Sequence, residues 1–187
     1  MIVAGALGVA SGALAQSTAG WDEYQSWETV ERAGDWRLSV SGALSLGEVD
    51  FDSGGSVDGD TYTLNIGAGY FIAESHELGF ELGLLGVDVE DSDATILIAR
   101  PRYSFHLVPS GPVDPYLGAR GGIAMVDGNL LGLDDSDTGY TVGVFGGLNF
   151  FVSESVSIFA ELGYDFFEFD ESEYDEVRLT LGVSLFF

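Results

Sequence analysis

Residues 177–187 read Val177-Arg-Leu-Thr-Leu-Gly-Val-Ser-Leu-Phe-Phe187, with an apolar side chain at every second position. Val177, Leu179, Leu181, Val183, Leu185 and Phe187 would share one face of an extended chain, with Arg178, Thr180, Gly182 and Ser184 on the other. A period of two belongs to a β-strand whose faces meet different environments, because successive side chains point to opposite sides of the pleat. A tilted strand of about 9–11 residues also spans a bilayer.

The same pattern runs back through the chain in seven more blocks: Trp36 to Gly47, Thr61 to Ile72, Glu77 to Val87, Ala94 to Leu107, Pro115 to Val126, Thr138 to Phe151 and Val156 to Phe169. Two places disturb it. The parity weakens at Leu84-Leu85, which reads as a bulge, and Pro101 falls on the apolar face of its block, where a bulge or local kink would accommodate it.

The second face decides which way the strands point. It carries five of the six arginines (Arg37, Arg100, Arg102, Arg120 and Arg178) and at least ten glycines, Gly67, Gly79, Gly118, Gly143 and Gly163 among them. Glycine weakens an exposed strand and adds no surface charge, but it makes room where side chains converge on a narrow axis. The polar face is therefore the inside. The Leu, Val, Ile and Tyr face then lies outside, where it would aggregate in water and is matched to lipid. In lipid only a closed sheet satisfies every backbone group. The expected fold is all-β: a membrane-spanning, closed antiparallel up-and-down barrel of eight strands.

The connections fit this architecture. Tight ones at 73–76, 108–114 and 152–155 alternate with acidic ones at 48–60, 88–93, 127–137 and 170–175. Short periplasmic turns and longer outer loops put both termini in the periplasm. Trp36, Tyr70, Phe71, Tyr103, Phe105, Tyr116, Phe150, Phe151, Phe186 and Phe187 gather at the periplasmic strand ends as one aromatic girdle, and Tyr62, Tyr140, Tyr164, Phe166 and Phe169 sketch the other.

The last strand, ending on Phe187, looks like the C-terminal targeting strand of bacterial outer-membrane proteins. With eight strands and small size, the chain resembles the OmpA/OmpX-like family of outer-membrane β-barrels from about Asp35 to Phe187. The resemblance implies the outer membrane of a Gram-negative bacterium and insertion by the barrel assembly machinery, with Val183, Leu185 and Phe187 as the assembly signal. It implies no particular activity, since members serve as adhesins, structural tethers or proteins of unknown role.

Met1 to Gly20 carries no charge and reaches Ala13-Leu14-Ala15 before Gln16, the small-x-small pattern of a signal-peptidase site. Residues 1–15 are thus expected to be a signal peptide whose positively charged start is missing. Residues 16–34 would follow as a periplasmic segment and 35–187 as the barrel.

The composition narrows the function. The 187 residues hold 31 Asp and Glu against six Arg and no Lys, for a formal net charge of −25. Nucleic acid is excluded as a partner, since its recognition needs clustered Lys and Arg. Without Cys and with only His76 and His106, neither a thiolate site nor a histidine-rich metal centre is expected. Nineteen carboxylates fall in the outer stretches 48–60, 88–93, 127–137 and 168–176, Glu176 among them, five in 22–35, four near the periplasmic turns (Glu74, Glu77, Asp114, Glu154) and three in the lumen (Glu81, Glu161, Asp165). Asp50, Asp52 and Asp58 with nearby glycines, and Asp134, Asp135 and Asp137, have the oxygen-rich character of Ca²⁺ loops but match no EF-hand. A solvated acidic surface is the reading preferred, so no cofactor is expected. Partners would be outer-membrane lipid and lipopolysaccharide, approached by a monomer.

Arg37, Glu81, Arg100, Arg102, Arg120, Glu161, Asp165 and Arg178 should meet in the lumen as a charge network, because buried charges need partners. The turn at 88–93 suggests Glu81 beside Arg102, and the turn at 108–114 suggests Arg102 beside Arg120. The network is read as a polar plug, since eight-stranded interiors are filled by side chains; a narrow gated channel for ions or small solutes is the alternative. A lipid A-modifying enzyme is the reading from another class. Ser104 and His106 are the one pair that could be drawn for it, and they lie at the wrong end of the lumen, without the residue order of the lipid A deacylases.

Overall fold

Alternation this regular leaves the backbone no choice but extension, and eight extended segments close on themselves. In the computed structural model, which describes residues 32–51, 56–89, 92–109, 111–128, 137–169 and 172–187, the strands are β1 Trp36–Phe51, β2 Ser56–Ala73, β3 His76–Val89, β4 Ser92–His106, β5 Val113–Gly128, β6 Asp137–Ser153, β7 Val156–Glu168 and β8 Ser172–Phe186. Each pairs antiparallel with its sequence neighbours, and β8 pairs with β1 to complete a closed barrel. Trp36 and Phe187 fasten the seam by exchanging two backbone hydrogen bonds, of 2.8 and 3.0 Å. The expected signal peptide at 1–15, and 16–31 of the segment after it, lie outside the described residues.

Both β1 and β8 begin or end at one rim, here termed the terminal end; the opposite rim is the distal end. The strands run 13–18 residues; all but β7 are longer than the blocks read from the sequence, and those seven grow at the distal end. There the β1–β2 ladder continues to Asp50↔Ser56 and the β3–β4 ladder to Val89↔Ser92, so ladder occupies much of the expected acidic connections.

Two local expectations are corrected. No bulge occurs at Leu84-Leu85: the β2–β3 and β3–β4 registers are continuous there, with Leu84↔Leu97 and Leu85↔Ile96. The irregularities sit instead at the terminal ends of β2 and β6, between Phe71 and Ala73 and between Phe151 and Ser153. Pro101 causes no register shift. It faces Phe80 on β3, and the β4–β5 ladder resumes in step from Ala99↔Ile123 to Arg102↔Arg120, so the missing N–H interrupts the ladder without displacing it.

The outer wall is an apolar belt. Leu44, Ile66, Leu82, Val144, Leu162 and Leu181 stand exposed around it, as a lipid-facing surface requires. Trp36, Tyr70, Tyr103, Phe150 and Phe187 occupy the terminal rim of that wall. Phe71, Tyr116 and Phe186 do not: they point inward and are buried, and the half-buried Phe151 packs its ring against Phe186, with centroids 5.2 Å apart, so these four belong to the lumen and not to the girdle.

Candidate functional site

The lumen is narrow enough that a large side chain on one strand needs a small one beside it. Cross-strand pairing supplies that repeatedly: Glu81 faces Gly67, Arg102 faces Gly79, Asp165 and Arg120 both flank Gly143, Glu161 faces Gly147, and Arg178 faces Gly163. A Cβ at Gly79 would come within 3.0 Å of Arg102 Cγ, and one at Gly143 would run into the Asp165 carboxylate. The glycines are thus the spaces into which the charged groups fold.

Those groups form the central layer. Arg100 donates Nε to Glu81 Oε1 at 2.9 Å and Nη1 to Asp165 Oδ1 at 3.1 Å. Arg102 donates to Glu81 Oε2 at 3.3 Å and Glu161 Oε2 at 2.9 Å. Arg120 grips Asp165 in a two-point fork, 2.7 Å from Nε and 2.6 Å from Nη2, and donates Nη1 to Glu161 Oε1 at 2.7 Å. Bidentate geometry of this kind gives the strong class of charge-assisted bond. Phe145 packs its ring against two guanidiniums, with Arg102 Cζ 4.2 Å and Arg120 Cζ 5.2 Å from its centroid. The Tyr116 hydroxyl donates to Glu161 at 3.2 Å.

The expected register is right in one hairpin and wrong in the other. Arg102 pairs with Arg120 as read, but Glu81 lies directly opposite Arg100, with Arg102 two residues along facing Gly79. The turn centres between Val89 and Ser92 and shifts the pairing by two positions from the expected one. Both arginines still reach Glu81, one directly and one diagonally.

Toward the terminal end a second layer surrounds His106, which is fully buried. Its Nδ1 lies 2.6 Å from Asp114 Oδ2 and its Nε2 3.1 Å from Glu77 Oε2. Arg37 pairs with Glu77 at 3.0 Å, Asn149 reaches Asp114 at 3.5 Å, and Ser157 reaches Asn149 at 3.4 Å. Both imidazole nitrogens are thus taken by carboxylates, while Ser104 Oγ accepts from Arg102 Nη2 at 3.5 Å. Ser104 and His106 do not face each other as nucleophile and base.

The distal layer differs in kind. Leu85, Ile96, Ile98, Ala124, Val126 and Phe167 point inward and pack together, with Phe169 against them. Polar groups line the wall beside this cluster: Ser45, Thr63, Asn65, Thr141 and Thr180 are buried there with Arg178. Arg178 forms ion pairs with Asp165 at 2.9 Å and Glu176 at 3.5 Å.

All eight predicted network residues are buried inside; seven of them are joined by ion pairs around the central layer, whereas Arg37 pairs with Glu77 in the terminal layer. Three carboxylates expected elsewhere join them. Glu77 and Asp114, expected near the periplasmic turns, and Glu176, expected in an outer connection, are buried in the lumen. The sixth arginine, Arg32, is buried too, which the sequence reading did not foresee. Among the residues whose side chains are described, the interior holds all six arginines against six buried carboxylates, and the remaining 25 Asp and Glu of the sequence equal the net charge of −25.

The expected cation loops fall largely beyond this description. Asp52, Asp134 and Asp135 lie outside the described residues, and Asp50, Asp58 and Asp137 lie in distal strand ends. Among the described residues no group of three or more His, Asp or Glu could hold a metal ion. Val183, Leu185 and Phe187, the expected assembly signal, stand exposed on the outer wall of β8 and just beyond it.

No family model and no curated protein sequence matches the chain. Solved structures do match. Neisserial surface protein A superposes with a TM-score of 0.58 at 22% identity, covering 79% of this chain and 96% of that one. Ail, the attachment invasion locus protein of Yersinia pestis, gives 0.51 at 18% identity over 82% of this chain and 99% of its own. The outer membrane enzyme PagL gives 0.50 at 14% identity over 75% and 97%. A surface protein, an attachment protein and an enzyme share one architecture at these identities, so the likeness shows the fold and leaves activity open. The chain has the eight-stranded fold of the small outer-membrane barrels, the OmpA/OmpX-like architecture suggested by its last strand.

Proposed function

We propose that this is a closed, monomeric barrel of a Gram-negative outer membrane, acting as a structural or surface-interaction protein through its acidic distal end. One observation carries the reading: among the described residues the lumen is filled in three successive layers, by charge pairs at the terminal and central layers and by apolar side chains at the distal one. Such an interior presents no column of water for ions to follow. With the termini in the periplasm, the distal end faces the exterior, and Val183, Leu185 and Phe187 are offered to the assembly machinery.

The exterior chemistry follows from the charge count. Eighteen carboxylates lie in the distal strand ends and connections with no Lys or Arg among them. That field repels lipopolysaccharide phosphates and sulfated glycans alike, over a distance set by ionic strength. Contact with lipopolysaccharide would then run through bridging divalent cations, and host recognition would favour cationic or neutral surfaces. Neisserial surface protein A and Ail, the attachment invasion locus protein, which share the fold, are by name proteins of the same broad class.

Planar-bilayer recording tests this directly. The purified protein should stay at the background conductance of the lipid; channels well above background that disappear in Glu81→Ala or Arg102→Ala would replace the plug with a pore. Unboiled and boiled samples should run at different apparent masses on gels, as a closed barrel does.

A further inference from the structure

One cation in the lumen does not belong to the barrel wall. Arg32 precedes β1, yet its guanidinium is buried at the terminal mouth among residues of four strands. Its Cζ lies 4.1 Å from the Phe151 ring centroid, 4.9 Å from Phe186 and 5.7 Å from Phe71, and its Nη1 lies 3.4 Å from Asp114 Oδ2. Guanidinium planes stack on aromatic faces and hold a carboxylate at the same time, which lysine does less well.

A short turn delivers it there. Asp35 N–H bonds to the Arg32 carbonyl at 2.9 Å, Gly34 N–H bonds to the Phe71 carbonyl at 2.8 Å, and Gly34 adopts φ 99°. That backbone conformation favours glycine. A Cβ at Gly34 would meet nothing within 4 Å, so the position is selected by its dihedral angle and not by space.

We infer that Arg32 is a detachable stopper: a side chain on the segment before the barrel that seals the terminal mouth by docking into the Phe71, Phe151, Phe186 and Asp114 socket. Every other arginine of the interior is borne by a strand and cannot leave without breaking the sheet. Arg32 can leave by reversing one turn, which would expose the layer containing His106, Ser157 and Ser184 while the ladder stays intact.

The absence of cysteine makes the test clean. Ser184 is buried at the terminal layer and Thr141 near the distal one; Ser184→Cys and Thr141→Cys, each as the single thiol, report the two ends to a charged methanethiosulfonate reagent on the full chain in micelles. Adding Arg32→Ala should raise labelling of the Ser184→Cys protein by about tenfold or more, as for local openings whose cost falls by ~1.4 kcal/mol. Gly34→Val, which leaves the arginine in place but strains its turn, should act in the same direction. Labelling at Thr141→Cys and the gel shift on boiling should not change. An unchanged rate at Ser184→Cys with both variants, or an equal rise at Thr141→Cys, would overturn the stopper.

Discussion

The central and distal layers of the lumen solve the same packing problem with opposite materials. At the centre, two strands, β3 and β7, contribute Glu81, Glu161 and Asp165 to hold Arg100, Arg102 and Arg120 of β4 and β5, and every strong contact is a charge-assisted bond. A few residues along the same strands, Leu85, Ile96, Ile98, Ala124, Val126 and Phe167 pack together as one apolar cluster. Ionic packing fails all at once when a partner is removed, because the remaining charge stays buried and uncompensated. Apolar packing fails in proportion to the volume lost. The central layer therefore fixes a unique arrangement, and the distal layer shields it from the water at that rim.

Deleting the hub should have the largest effect. Arg120→Ala strips three bonds from Glu161 and Asp165 at once, and about 4 kcal/mol of stability should disappear in urea unfolding from micelles. Combining it with Asp165→Ala should cost much less than the sum of the two, since each removes the partner the other needs. Additive losses would mean that the network is not a unit.

A smaller loss is expected in the apolar layer. Ile98→Ala opens a gap beside Leu85 and Phe167 and should cost about 3 kcal/mol, with no coupling to Arg120→Ala beyond ~0.5 kcal/mol. Strong coupling would join what is described above as two layers into one. The smallest effect separates inside from outside. Gly143→Ala drives a methyl into the Asp165 carboxylate and should cost about 2 kcal/mol, whereas Gly42→Ala, whose nearest neighbour is the Thr63 carbonyl at 4.0 Å, should be neutral or slightly stabilising.

Much of this was legible in the alternation. The eight strands, their inward and outward faces and the eight wall-borne network residues all follow from counting parity from Trp36 to Phe187. What escaped did so for physical reasons. Glu77, Asp114 and Glu176 also sit at inward positions, but near strand ends, where a carboxylate resembles a turn residue until the ladder is known to run past it. Phe71, Tyr116 and Phe186 look like interfacial aromatics for the same reason. Ile96-Leu97-Ile98 and Leu84-Leu85 are apolar on both faces, and a rule that puts grease outside has no place for an apolar layer within; hence the expected bulge. The pairing of Glu81 shifted because a hairpin register depends on where its turn centres, which acidic residues do not specify. Arg32 was out of reach of any periodicity, since its place depends on a single turn before the first strand.

The luminal glycines have one more consequence, and it concerns the chain before it folds. An outer-wall face of Leu, Val and Ile in eight successive stretches is the composition from which intermolecular cross-β stacks grow. Such stacks need short segments of high strand propensity, low charge and few glycines. Gly67, Gly79, Gly118, Gly143, Gly147, Gly163 and Gly182 interrupt six of those stretches at regular intervals. The residues that leave space for arginine in the finished barrel thus lower the tendency of the unfolded chain to aggregate on its way to the membrane.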